Sequence, residues 1–593
     1  MKDFFKMFLA ALAATFVYGI ISFISTAMMF AMMMSLGSSV DSSVDIQKNS
    51  VLKFDISAGV TDRSETSTNS DILDMSFNVS RTLGLDQIKR SLDNAKNDDR
   101  ISALYLDLDR LSGDISTFQA IRQMLVDFKE CGKPIIAFRN GYSLGSYYFA
   151  SVADRIYMRP NAMFEITGLS SATMYYKPIL DKLGITCVAC RHGKFKSAIE
   201  PYTQEKMSDE NRLQTQKLLD DLWGSLISDI SESRSISVED INKNVDDLSL
   251  LFNDSLCIEK GFINGLMSKD DAMDTIKVMI NKSIDDDLKM VSLSDYYKSL
   301  DNSKELPTKI AVIYACGEIQ SKDSKEQTVI TAKKTCDAIK KCIKDDDIKA
   351  VVLRINSPGG DADEAEEIYQ SLLKLKDTKK PIVVSMGDYA ASGGYYIACP
   401  ADSIYAMPTT ITGSIGVFSL IPNLAKLYNM VDLNVEVVKT NKHSDLLNEA
   451  RDIDNDELAA IQGMVEKTYH TFISHVADGR NMTLEQVDSI GQGRVWSGVE
   501  AINIGLVDKL GNLDDAINTA ANLADIKSWS IVNYPEIIVD PMDDLLMNLL
   551  NSNISYDNKI IDDIKSNVNQ INKLTNKGKI QCLMPPMKIE MNN

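Results

Sequence analysis

Positive charge and histidine are both scarce in this 593-residue chain. Lys and Arg number 63 against 83 Asp and Glu, for a formal charge of −20 at pH 7. The basic surface that phosphate binding needs is missing, which argues against nucleic acid as a partner. Only four histidines occur, His192, His443, His470 and His475, so chemistry that needs an imidazole base has few places to stand. His470 and His475 fall five apart in a helical pattern and do not share one face well. The nine cysteines form no closely spaced metal framework, and their odd number leaves at least one thiol without an intramolecular partner. Cys187 and Cys190 make a CxxC, but the surrounding GITCVACR is an apolar run that reads as a strand. A second ligand pair and a nearby helix start are both absent there, which argues against metal or redox work.

What the chain does have begins at its N-terminus. No charged side chain occurs from Met7 to Val40, more than the roughly 20 apolar residues that span a bilayer and longer than the core of a cleaved signal peptide. Residues 1–45 therefore read as an uncleaved membrane anchor. Lys2 and Lys6 precede the run and Asp41 and Asp45 follow it, so the positive-inside bias keeps the N-terminus cytoplasmic and sends the remainder to the periplasmic or outer side. Polar residues at 41–50 and 60–75 suit a tether and exposed loops.

Most of the remaining length is a repeat. ISALYLDLDRLSGD at 101–114 matches IKAVVLRINSPGGD at 348–361, and KPII at 133 matches KPIV at 380. ADRIYMRP at 153 matches ADSIYAMP at 401, and NGYSLGSYYFA at 140–150 matches GDYAASGGYYIA at 387–398. The constant offset of 247 or 248 indicates a duplicated domain, with repeats at 46–300 and 308–540 and a polar, helix-prone tail at 541–593 whose role is not legible. Within the second repeat AVVLRI, PIVVSM and NVEVVK read as strands, alternating with amphipathic stretches such as ADEAEEIYQSLLKLK and ELAAIQGMVEKTYHTFISHVAD. Strands separated by helices of this length imply parallel crossovers and an α/β fold.

The two copies differ where chemistry would lie. The offset sets Leu144 against Ser392 and Lys196 against Ser444, so one copy keeps a hydroxyl and the other an amine. That reciprocal loss predicts one composite site where the repeats meet, with Lys196 Nζ within about 4 Å of Ser392 Oγ. A serine hydroxyl is a weak nucleophile without a base in reach. Gly393 and Gly394 follow Ser392 and open a helix, while Gly359 and Gly360 follow a buried strand, so backbone N–H groups from both can form an oxyanion hole. Read alone, Ser392 could merely cap that helix and Lys196 could be a solvated surface lysine. Lys194 and Lys442 are paired by the same offset and read as surface charges. His443 is the strongest rival base, because it flanks the position paired with Lys196.

INSPGGD, GDYAASGGYYIA, TGSIGVF at 412–418, KFKSAIEPY at 194–202 and GRVWSGVEAINIGLVDKLG at 493–511, in this order of roles, resemble the signal peptide peptidase A, or protease IV, family in its long duplicated form. The resemblance covers roughly residues 50–540 and the anchor. It implies two tandem ClpP/crotonase-like domains and a serine endopeptidase with Ser392 as nucleophile and Lys196 as general base. It also implies a homotetramer on the outer face of the cytoplasmic membrane, clearing remnant signal peptides, with no metal or organic cofactor required. Two other readings share features of the chain: a crotonase-like acyl-CoA hydrolase, which leaves the anchor and the Ser–Lys pairing unexplained, and a non-catalytic membrane scaffold.

Overall fold

The computed structural model describes residues 46–536 apart from 58, 64–65, 72–75, 109–110, 112, 301–305 and 324–327, together with 580–590 apart from 586 and 588, and scattered positions between 6 and 28. The expected anchor at 1–45 lies almost entirely outside the described residues, as does most of the tail. Among the described residues, no helix is long and apolar enough to cross a membrane.

Two sheets share one topology. In the first repeat Met290–Ser292, Ser50–Asp55, Ile101–Asp107, Ile135–Arg139, Arg155–Met158 and Gly265–Leu266 lie side by side, every pair parallel. In the second, Ser530–Tyr534, Lys309–Cys316, Ile348–Ser357, Ile382–Ala391, Ser403–Ala406 and Lys509–Leu510 repeat that order, again parallel. Their central strands are apolar runs buried on both faces, as expected when helices cover both sides of a parallel sheet. The helix Ala362–Asp377 shows why these segments form: Asp361 caps its N-terminus, acidic residues fill its first turn and lysines its last, all favourable to the helix dipole. Two 26-residue helices, Asp209–Arg234 and Asn455–Arg480, occupy equivalent places, each capped by a side chain at its start and ended by a left-handed residue.

A third sheet joins the halves. The first-repeat strand Thr186–His192 runs antiparallel to the second-repeat strand Val417–Asn423 over seven residue pairs. Gln581–Leu583 follows, then Gly359–Asp361, Glu318–Ile319 and Val329–Ile330. Around this junction the repeats are locked by buried polar groups that find partners across it. Arg354 Nε meets Asp62 Oδ1 at 2.6 Å, and Asp388 accepts from the Thr117 amide at 2.8 Å and hydroxyl at 2.6 Å.

One expected strand is not formed. NVEVVK falls in the stretch 433–439, which has no regular secondary structure and no ladder partner among the described residues, leaving Leu433, Val435 and Val437 exposed. Its repeat counterpart is Thr186–His192, whose partner belongs to the other repeat. The first-repeat edge corresponding to that partner, Ser170–Ser171, pairs instead with Ile589–Glu590, so apolar alternation is present without an edge to satisfy it.

Candidate active site

Ser392 stands where the strand Ile382–Ala391 turns into the helix Gly393–Ala398. Its backbone is at φ 56° and ψ −114°, a region costly for a residue with a side chain by about 1–3 kcal/mol and found where surroundings impose it. Here its amide donates to the Gly413 carbonyl at 2.8 Å, and its own carbonyl accepts from Tyr396 at 2.9 Å. The side chain makes no capping bond, which sets aside the reading of Ser392 as a simple cap. In the first repeat the same turn is unstrained: Ser143 caps conventionally and Leu144 begins the helix, buried in the core.

Lys196 arrives from the other half. The strand Thr186–His192 carries the chain across the junction, and Lys196 then precedes the short helical turn Ser197–Ile199. Gln214 holds this segment, donating to the Phe195 carbonyl at 3.1 Å and to Ser197 Oγ at 3.0 Å. The Gly493 backbone packs so closely that a Cβ there would lie 2.6 Å from Lys196 Cβ. At φ 77° Gly493 also occupies a conformation that side chains disfavour. The lysine is wholly buried.

Its Nζ lies 2.7 Å from Ser392 Oγ, 2.9 Å from the Ser414 carbonyl oxygen and 3.1 Å from Ser414 Oγ. No carboxylate pairs with it among the described residues. Burial therefore dominates and lowers the ammonium to about 7, opposed only by the Cys582 thiol. A neutral amine has two N–H donors and one lone pair. Ser414 offers two acceptors, so the lone pair is left for the Ser392 hydroxyl proton. Ser414 Oγ in turn donates to the Gly493 carbonyl at 3.4 Å.

A Cβ on Gly359 would fall 2.7 Å from the Gly393 amide nitrogen, and Gly359 and Gly360 both have positive φ, 100° and 151°. The backbones of Gly359 and Gly393 thus converge beside Ser392. Histidine takes no part. His443 points to Glu457 and Asp454, His192 stacks on Tyr469 and bonds Glu466, His475 bonds Glu366, and His470 contacts Ser474. Lys442 is exposed and pairs with Asp456. Cys187 and Cys190 do lie in a strand, as free thiols. Sequence reasoning missed Ser414 and Gly493 as parts of this site. The signal was present, since TGSIGVF and GRVWS stood out as motifs without an assigned task.

A serine, an amine and converging backbone amides on a duplicated α/β frame define a serine hydrolase site. The model of peptidase family S49 matches residues 127–282 and 374–527, one match holding Lys196 and the other Ser392. Protease 4 of Haemophilus influenzae is 33% identical over 461 residues, covering 75% of this chain and 74% of that protein. Protease 4 of Salmonella typhi is 34% identical over 457 residues, covering 76% and 73%. The chloroplastic serine protease SPPA of Arabidopsis thaliana is 29% identical over 496 residues, covering 81% and 70%. The chain belongs to peptidase family S49, in its duplicated protease IV branch, and is a serine protease.

Proposed function

We propose that this serine protease is a membrane-anchored endopeptidase that uses a Ser392–Lys196 dyad to degrade released signal peptides and similar apolar peptides. The observation that carries the reading is the 2.7 Å contact between Lys196 Nζ and Ser392 Oγ, made by an amine with no carboxylate partner among the described residues. Neutral Lys196 takes the Ser392 proton as Oγ attacks the peptide carbonyl, and the amides of Gly393 and of Gly359 or Gly360 hold the oxyanion. Lys196 then protonates the leaving amine, and water, deprotonated by the same lysine, releases the acyl group. Ser392→Ala and Lys196→Ala should each abolish hydrolysis of an apolar peptide, and the double variant should lose little more, because the pair acts as a unit. Retention of activity in Ser392→Ala would overturn the assignment. A peptide ester cleaved in preference to acyl-CoA separates this activity from a crotonase-like one, and a fluorophosphonate adduct separates it from a scaffold.

The uncharged run 7–40 supports anchoring, with the repeats on the periplasmic or outer side. A chain beginning at Val51 should cleave soluble peptides at the full-length rate while losing efficiency on peptides held in lipid vesicles. Loss of soluble activity in that chain despite intact folding would make the N-terminal segment part of the catalytic architecture. The exposed stretch 433–439 supports a homotetramer built head to tail, in which each copy offers this stretch to the first repeat of the next, as Thr186–His192 serves within the chain. Val435→Lys with Val437→Lys should dissociate the assembly in sedimentation velocity, and an unchanged profile would refute this contact.

A further inference from the structure

Segment 492–496 bonds to both sides of the dyad. The Phe195 amide donates to the Gln492 carbonyl at 2.9 Å, and the Ser414 amide to the Arg494 carbonyl at 2.7 Å. Val495–Ser497 pairs with Ile411–Gly413, the strand whose last carbonyl holds the Ser392 amide. Gln214 ties the segment to the lysine side as well, accepting from the Val495 amide at 3.2 Å while it donates to the Phe195 carbonyl. Its backbone bonds thus reach the residue before Lys196, the Ser414 that accepts from the amine, and the strand that holds Ser392.

One side chain of the segment crosses to the lysine side. The Arg494 guanidinium lies 4.0 Å from the centre of the Trp496 ring and 5.2 Å from that of Phe195. Trp496 is pinned in turn, its indole N–H donating to the Ile490 carbonyl at 3.0 Å. Arg494 Nε is buried with no hydrogen-bond partner, and burial lowers the proton affinity of the guanidinium. Glu500 and Asp221 act on it only from a distance, each being paired with Lys217. The cation is therefore held by two aromatic faces and not by an anion, the arrangement in which ring attraction counts most. Phe195 is buried under it, directly before Lys196.

We infer that Arg494 is a positioning residue for the base: in contact with Trp496 and Phe195, its guanidinium clamps the turn that carries Lys196 onto segment 492–496 and keeps water from the amine. This rests on the dyad reading above. The charged groups around the turn leave the task to packing. Arg191 donates to the Lys196 carbonyl at 3.4 Å, and Lys194 Nζ lies 5.3 Å from the centre of the Phe195 ring. Glu200, in the helix that follows, is committed to Ser208 and Asn211, and the Cys582 thiol is the one group that opposes the effect of burial on the amine. With no ion pair to fix it, the neutral amine depends on exclusion of water. A turn free to swing outward would readmit water and return Lys196 toward the behaviour of an ordinary lysine.

The test uses the full chain and follows kcat/KM on a small soluble peptide ester against pH. Arg494→Met keeps an unbranched apolar stem and removes the planar cation. It should raise the midpoint of the profile by at least about one pH unit and so cut the rate at about pH 7 by about fivefold, with most of the rate recovered by about pH 10. Recovery is expected because alkaline pH restores the neutral amine that burial no longer secures. A loss uniform in pH, or a wild-type profile, would overturn the inference. Phe195→Leu retains the charge of Arg494 but takes away the ring it rests on. Its midpoint should rise too, and an unchanged one would overturn the clamp even if Arg494→Met fails to fold. A further readout needs no turnover. Acetic anhydride acylation at about pH 9, mapped by mass spectrometry, should spare Lys196 in the wild type and modify it in both variants. Exposed Lys194 serves as internal standard. Lys196 as protected in a folded variant as in the wild type would overturn the inference. Should Ser392→Ala still hydrolyse peptide, the dyad reading fails, while the acylation still decides whether Arg494 shields Lys196.

Discussion

The protonation of Lys196 gives the sharpest quantitative prediction. An ordinary lysine sits near 10.5 and this one is lowered to about 7 by burial. That difference corresponds to about 5 kcal/mol of lost preference for the proton, at 1.36 kcal/mol per tenfold. If the neutral amine is the base, kcat/KM follows the neutral fraction in the free enzyme. With a midpoint of about 7, that fraction grows about 11-fold between about pH 6 and pH 9 and is flat above about pH 8. With an ordinary lysine it would grow about 1,000-fold over the same interval and still be climbing. The assay is kcat/KM on a small soluble peptide ester, with the rate of fluorophosphonate labelling as a second readout that does not require deacylation. Both should rise with unit slope to a plateau. A profile that climbs steadily through pH 9, or a midpoint that survives in Lys196→Ala, would refute the argument that burial prepares this amine.

Stability should carry the same signature. Because the folded-state value lies below the unfolded one, the unfolded chain holds the extra proton between about pH 7 and 10.5, so this group's contribution to stability rises with pH in that window. Urea titrations should show that slope in the wild type and lose it in Lys196→Met. Gly493→Ala places a Cβ 2.6 Å from the lysine at a positive φ. It should lower stability by about 1–3 kcal/mol and slow fluorophosphonate labelling in the protein that remains folded. Asp62→Ala leaves Arg354 buried without its carboxylate and should cost about 3–5 kcal/mol in chemical denaturation, against a much smaller effect for an exposed pair such as Lys340 with Asp337.

Legibility in the sequence tracked the range of the interactions involved. The parallel strands were legible because burial on both faces forces continuous apolar runs, as in AVVLRI and PIVVSM. Ser392 and Lys196 stood out because each is missing from the other copy, a contrast that only a duplicated chain can offer. Ser414 did not stand out, since its value lies in a carbonyl and a hydroxyl presented by a turn at φ 50°, and any residue has a carbonyl. NVEVVK misled because strand propensity says nothing about whether an edge is within reach. The short strand Gln581–Leu583 was invisible for the converse reason: three residues in a polar tail have no periodicity to read, and the glycine edge that orders them is more than two hundred residues away.

The covalent link between the two halves changes what it takes to assemble the dyad. Serine and lysine meet by folding of a single polypeptide, so the site forms as a unimolecular event and does not melt away on dilution. The equivalent positions of the opposite copies, Leu144 and Ser444, carry neither group. Mutations there escape any demand for catalytic geometry. Duplication has thus left one serine and one lysine in contact and freed their two counterparts to drift.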